Sequence, residues 1–417
     1  MTIGRRVLPW LFAAACLCGY IYAYASGRAG VPIRSDGFSY YVYLPAWTLQ
    51  HDPSLQATAD DCCGGEFPRY TGINRWPGTE RWVNAHPIGE AIMIAPFFAA
   101  AHALTRWTNL SPDGFSIYYQ HGAGLAGLCY VLIGLWFCHR LLARYFSAGV
   151  VAATDVVLLF GTNLYHYATF DSVWSHAFSF ALFSAFLERL DARTPGRLAD
   201  DAVLGAISGL LILVRHTHVV IPICFFGADL LRTKRLPIVP AVVAALIVLP
   251  QLWVYHAATG HWLVSSYGEL GFAFATNPHV ADTLFGPGKG LFFYTPVLLA
   301  ALPGAAWLPD GLRRWRLPAI GVLAINTYFI AAWFDWRFGA SYGHRGFVDF
   351  FPLFAIGLAA AFARIGGAPR VRAAATVAAV GLCALSLFQM LQYWHGVLPM
   401  TGPTWPQYKS IFLEGWW

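Results

Sequence analysis

The chain has 417 residues, of which 57% are hydrophobic and 12% charged, with a formal net charge of +6 and a mean hydropathy of +0.52. Soluble domains carry about 25% charged residues, and half that proportion cannot cover a water-facing surface, so a soluble globular class is excluded. The basic excess lies in short loops between apolar runs, as the positive-inside rule requires, and points to no nucleic-acid partner.

The apolar runs are roughly 15–20 residues long, enough for helices that cross a ~30 Å hydrocarbon layer. The alternating ten-residue segments of a β-barrel are absent. Val7–Ala25, preceded by Arg5 and Arg6, reads as a first span with a cytoplasmic N-terminus. A polar stretch from Ser26 to Asn84 follows, and a loop of that length is usually functional. Its adjacent Cys62 and Cys63 are either a vicinal disulfide or two free thiols. The other six cysteines sit in apolar runs and read as core residues. Ile88–Trp107 is apolar but starts behind Pro87 and contains Pro96. Ile117–Cys138 ends at the first basic loop, Arg140/Arg144.

Later basic loops are Arg193/Arg197, Arg232/Lys234/Arg235, Arg313/Arg314/Arg316 and Arg364/Arg370/Arg372. Placing all of them in the cytoplasm pairs the remaining runs into hairpins. These are Val150–Tyr165 with Val173–Leu190, Ala202–Val214 with Val219–Leu231, Ile238–Tyr255 with Leu291–Leu308, and Leu317–Phe334 with Phe347–Ala363. Ala373–Leu391 then exits to the outside. On this bookkeeping Ile88–Trp107 begins and ends on one face. It is expected to be interfacial or re-entrant; a true span that breaks the loop-charge pattern is the alternative. The expected fold is all-α and polytopic, with about eleven transmembrane helices, N-terminus inside and C-terminus outside. It forms one membrane-embedded domain with a first outer loop of residues 26–87.

Unusual polar residues gather on the expected outer face. They are Arg34-Ser35-Asp36-Gly37-Phe38-Ser39-Tyr40-Tyr41, Asn84-Ala85-His86-Pro87-Ile88-Gly89-Glu90, the stretch from Tyr165 to His176 around Asp171, Arg215-His216-Thr217-His218, Tyr267-Gly268-Glu269 through Lys289, and Trp333 to Arg345. Singly each has an ordinary reading: Asp171 as a helix cap, His166 and His176 as satisfied interface histidines, and Arg215, Arg337 and Arg345 snorkelling to headgroups. Together they place ionisable groups at one membrane edge, where such groups are costly and mark function. An acid there suits a general base, and clustered Arg and Lys suit a phosphate leaving group. Aromatics beside them suit sugar rings or a prenyl chain. No nucleotide-binding loop or metalloprotease motif occurs in a convincing context. A secondary transporter or flippase is the rival class, but it predicts internal repeats and mid-span charges, and neither is visible.

The pattern resembles the GT-C membrane glycosyltransferases that use polyprenyl-phosphate sugars, most closely the protein O-mannosyltransferase and aminoarabinose-transferase branch. An acid follows the first span at Asp36, a degenerate HPPLG-like motif reads His86-Pro87-Ile88-Gly89, and a second outer acid is Asp171. Gly205 and Gly209 before Arg215 resemble the family's Gly-rich helix closed by an Arg. The resemblance covers roughly the first 220 residues. It departs where the family's Asp-Glu pair is Asp36-Gly37, and where the second Pro of the motif is Ile88.

The resemblance implies inverting sugar transfer at the outer face of the cytoplasmic (inner) membrane, from a polyprenyl-phosphate-linked sugar to a lipid, glycan or protein acceptor. Asp36 is then the catalytic base, assisted by Asp171, with His176 as the candidate partner of Asp171. His86, Arg215, Lys289, Arg337 and Arg345 are candidates for the donor phosphate, with Arg345 and Arg215 foremost. His176, Glu269 and Tyr40 are further substrate-binding candidates. With no soluble domain after the last span, acceptor choice is expected to fall to the membrane domain and first outer loop. No obligatory cofactor or metal is expected, although Asp36, Asp171 and His176 could ligate a divalent cation.

Overall fold

Apolar runs bury their backbone amides best as helices, and helix is what nearly all of them form in the computed structural model, which describes residues 3–265, 271–365 and 369–412. Helix α1 (Ile3–Ala25) leads into the polar stretch. There three short helices, α2 (Asp36–Tyr41), α3 (Tyr43–Thr48) and α4 (Gln56–Cys63), precede a small antiparallel hairpin of β1 (Ile73–Arg75) and β2 (Trp82–Asn84), with Asn74 opposite Val83. Cys62 and Cys63 at the end of α4 form a vicinal disulfide. Next come α5 (Gly89–Arg106), α6 (Ile117–Leu142), α7 (Ala148–Phe160), α8 (Leu164–Thr169), α9 (Ser175–Ala192), α10 (Leu198–Val214), α11 (Val220–Thr233) and α12 (Ile238–Thr259). The rest comprises α13 (Val280–Phe285), α14 (Leu291–Tyr294), α15 (Ala301–Gly304), α16 (Asp310–Arg313), α17 (Arg316–Ala332), α18 (Phe351–Ile365), α19 (Pro369–Trp394) and α20 (Trp405–Ile411).

One expected continuous run is broken. Leu291–Leu308 divides into α14, a 3-10 turn at Pro296–Ala300, α15 and a second 3-10 turn at Ala305–Trp307. Pro296 stands at the start of the first 3-10 turn, where its missing N–H costs no helical bond, whereas α5 and α12 continue through Pro96 and Pro250.

Among the described residues, five helices are long and apolar enough to cross a membrane: Val7–Ala25, Ile117–Leu142, Ile238–Thr259, Arg345–Ile365 and Pro369–Trp394. Their burial differs. Only 28%, 22% and 17% of the apolar windows of the first, third and last are buried, against 89% for Arg345–Ile365. The exposed faces of α12 and α19 carry Val242, Leu246, Leu249, Val377 and Val380. Apolar faces that continuous fit lipid better than water.

At the centre, α9 buries nearly its whole circumference, including Phe178, Phe180, Phe183 and Phe186. α6 reaches it through small residues: a Cβ on Gly134 would lie 2.5 Å from the Phe180 ring. Gly205 and Gly209 do the same for α10 against α12, where added Cβ atoms would meet the Pro240 carbonyl and Ile247 at 2.7 Å. Small residues at helix crossings let backbones approach within membranes.

The two ends of this bundle differ chemically. At one end Glu188, fully buried, meets Arg140 at 3.2 Å and also Arg144 and Arg189. Asp191 joins Arg144 at 2.9 Å to Arg314 at 3.3 Å, and Asp229 joins Arg193 to Arg232. Four basic loops distant in sequence therefore share one end. The acidic, histidine-rich groups lie at the other end of α9, about 27 Å away at 1.5 Å per residue.

Candidate active site

Asp36 opens α2, immediately after Ser35, whose backbone sits at φ 50° and ψ −132°. A non-glycine residue at positive φ is strained and clusters at functional sites. The turn sends neighbouring side chains to different partners: Arg34 goes to Asp171 and Asp36 to Arg345. Arg345 Nη1 donates to Asp36 Oδ2 at 2.5 Å, with the two side chains 14% and 23% exposed. The guanidinium also lies over the Trp174 ring, 4.5 Å from its centroid. Burial alone would raise the Asp36 carboxyl, but Arg345, then His86, outweigh it and hold it down at about 2.

Gly37 leaves no room for a side chain. A Cβ there would sit 2.8 Å from the Val173 carbonyl oxygen and 3.3 Å from Trp174 Cδ1. Backbone approaches backbone too closely for a second acid beside Asp36. The Ile88 N–H donates to the buried Gln251 Oε1 at 2.8 Å, a bond that proline could not make at that position.

Asp171 is 4% exposed, and both of its oxygens are engaged. Arg34 Nη2 donates to Oδ1 at 2.6 Å, and His166 Nε2 bonds Oδ2 at 2.8 Å. The Trp394 indole N–H donates to His166 Nδ1 at 2.8 Å. An indole nitrogen can only donate, so Nδ1 is the acceptor and Nε2 carries the proton toward Asp171. Burial would raise the Asp171 carboxyl, but Arg34, followed by His166, lowers it. Asp171 is therefore no helix cap: α9 starts at Ser175 without a side-chain cap. Its histidine partner is His166 rather than His176.

His176 instead bonds Asp349, through Nδ1 to Oδ1 at 2.8 Å. His218 Nε2 reaches Oδ2 of the same carboxylate at 3.0 Å, and Arg215 Nε lies 3.4 Å from it. Arg215 also donates to Ser175 Oγ at 3.3 Å. Asp349 is 1% exposed. Three donors, one from α9 and two from the turn after α10, thus converge on one buried acid in the segment before α18.

The other sequence candidates separate. His86 is buried and brought down to about 4 by its burial, Asp36 opposing, so its imidazole is neutral. The Tyr40 ring packs edge-on against it, with centroids 4.5 Å apart. Lys289 is buried, with its ammonium donating to the carbonyls of Ser341 and of Met400, the latter at 2.6 Å. Burial, and after it Arg345, bring Lys289 down to about 7. Its two carbonyl bonds tie the segment after α19 to the site. Arg337 is exposed, stacks 4.5 Å from the Trp336 centroid, and has its charge close enough to act on Lys289. Glu269 and Tyr267 lie outside the described residues.

Asp36, Asp171 and His176 each face a different protein partner, and among the described residues no group of three or more His, Cys, Asp or Glu side chains is arranged to hold a metal ion. Sequence reasoning missed Asp349 as a site residue and gave Glu90, Arg34 and His166 no role. The available signal was a lone acid inside an apolar run, which Asp349 and Glu90 both are. No protein-family model matches the chain, and no curated protein sequence matches it.

Proposed function

We propose that this protein is an inverting membrane glycosyltransferase that moves a sugar from a polyprenyl-phosphate donor to a hydroxyl or amine acceptor. The observation that carries this reading is the Asp36–Arg345 pair, a partly exposed acid held by a guanidinium among aromatic rings. A carboxylate suits proton removal, and a guanidinium suits a phosphate.

The paired state makes Asp36 a weak base, since Arg345 depresses its proton affinity. A donor phosphate competes for the same guanidinium. As Arg345 turns to the phosphate, Asp36 loses its strongest cation and becomes a better base. The acceptor oxygen or nitrogen then attacks the anomeric carbon, and its proton passes to Asp36. The bond from that carbon to the phosphate oxygen breaks, its electron pair leaving with the polyprenyl phosphate, and the anomeric configuration inverts. Arg215 lies near enough to the site to share the phosphate charge. Asp171 acts by holding Arg34 and His166 rather than by touching substrate.

The same reading takes the shorter helices as further spans, about eleven crossings in all, with α5 interfacial or re-entrant. The basic end faces the cytoplasm and the site opens on the outer face of the inner membrane. Reconstitution of the purified chain with polyprenyl-phosphate hexoses and pentoses tests it. Transfer should be detectable with the native chain and fall by about 10²–10⁴-fold in Asp36→Asn, the usual worth of a general base. Full activity in that variant sinks the assignment of Asp36. Accumulation of a polyprenyl-phosphate sugar in cells lacking the gene would name the donor.

A further inference from the structure

Glu90 takes no part in the scheme above. It lies in the first turn of α5 and is fully buried, and neither carboxylate oxygen has a hydrogen-bond partner. The charges that act on it are those of Asp36 and Arg215, so it shares the electrostatic surroundings of the ion pair. A buried charge without a partner is among the costliest arrangements in a protein, and Arg215 is already committed to Asp349. The carboxyl responds as expected: burial, then Asp36, push it well above the ordinary carboxylate range, with Arg215 opposing.

Glu90 is not alone. His86 Nδ1, four residues earlier, is also buried and unpartnered, as is the indole nitrogen of Trp174. Arg345 stacks on the Trp174 ring, and His86 lies close enough to Asp36 to lower its carboxyl. Native proteins pair nearly all buried polar atoms. All three lie by the Asp36–Arg345 pair, and their mix is an indole donor, an imidazole nitrogen whose role follows its tautomer, and a carboxyl capable of both roles. That mix matches vicinal hydroxyls, each of which donates and accepts. It does not match a prenyl chain, which needs neither.

We propose that Glu90, His86 and Trp174 form the subsite for the hydroxyl groups of the transferred sugar, with Glu90 acting as a neutral carboxylic acid. This rests on the transferase reading and specifies its substrate class: a neutral polyhydroxylated sugar. A uronic acid would set a second carboxyl against Asp36 and Glu90, and an amino sugar would require Glu90 ionised.

Two measurements on the purified full-length chain test it, one of them independent of any transfer reaction. Infrared spectroscopy of the native protein at neutral pH should show a protonated-carboxyl C=O band that disappears in Glu90→Gln; no difference in that region overturns the neutral form. Donor kinetics with a neutral polyprenyl-phosphate hexose should then separate two variants. Glu90→Gln, nearly isosteric and still a donor and acceptor, should stay within about threefold of the native KM. Glu90→Leu should raise KM at least tenfold. Equal loss in both variants means that an ionised carboxylate is needed and overturns the proposal, as does an unchanged KM in Glu90→Leu. If the native chain transfers no sugar, the transferase reading falls; stabilisation against heat by methyl hexosides, lost in Glu90→Leu and kept in Glu90→Gln, still decides whether the subsite binds hydroxyls.

Discussion

At the scale of single residues, Asp36 and Asp349 show how neighbours divide labour among similar acids. Asp36 keeps partial exposure and one guanidinium partner, while Asp349 is sealed among two histidines and an arginine. Removing a partner from a buried pair leaves an uncompensated charge and costs about 3–5 kcal/mol. Asp349→Ala should therefore lower the melting temperature markedly in detergent. Asp36 makes a prediction with a definite sign. Its folded value of about 2 lies below the ordinary 3.8, so its contribution is present above pH ~4 and lost as pH falls toward 2. The contribution is about 2 kcal/mol. In Asp36→Asn the stability of the protein should change less across that acid window, although the variant starts lower because Arg345 is left unpaired. An unchanged acid slope in thermal unfolding would contradict the pairing.

At the scale of elements, the site depends on α2 lying flush against the α8–α9 turn. Gly37 makes that approach feasible, because a methyl there meets the Val173 carbonyl at 2.8 Å. Gly37→Ala should displace α2, cost about 1–3 kcal/mol as overpacking does, and lose activity beyond its loss of stability. Gly149 on α7 has open space around its Cβ position, so Gly149→Ala is the control and should be neutral or slightly stabilising. If both behave alike, close backbone contact at position 37 is not what positions Asp36. Much at this scale was legible in the sequence. The apolar runs predicted α5, α6, α10, α12 and α19 to within a few residues, because hydrocarbon demands continuous helix. The run from Leu291 is helical over nearly all its length but divides into short α and 3-10 segments, a change in hydrogen-bond pattern that hydropathy does not record.

For the whole molecule, the decisive feature is polarity from end to end. Arg144, Arg193, Arg232 and Arg314 pair with Glu188, Asp191 and Asp229 at one end, while Asp36, Asp171, Asp349 and their partners occupy the other. If the basic end is cytoplasmic, a cysteine placed at the exposed Thr79 in a background lacking other cysteines should react with an impermeant thiol reagent in intact cells. One at Arg197 should react only after permeabilisation. The reverse pattern would invert the orientation. The sequence by itself determined that the chain is helical, that its apolar faces suit lipid, and that ionisable residues from distant loops belong together, because hydropathy and loop charge are local properties. Which acid meets which base was decided only by tertiary structure. Arg345 finds Asp36 across 309 positions, and His176 turns from Asp171 to Asp349 across 173. Such pairings depend on helix packing, where burial sets how strongly each charge is felt and no spacing along the chain records it.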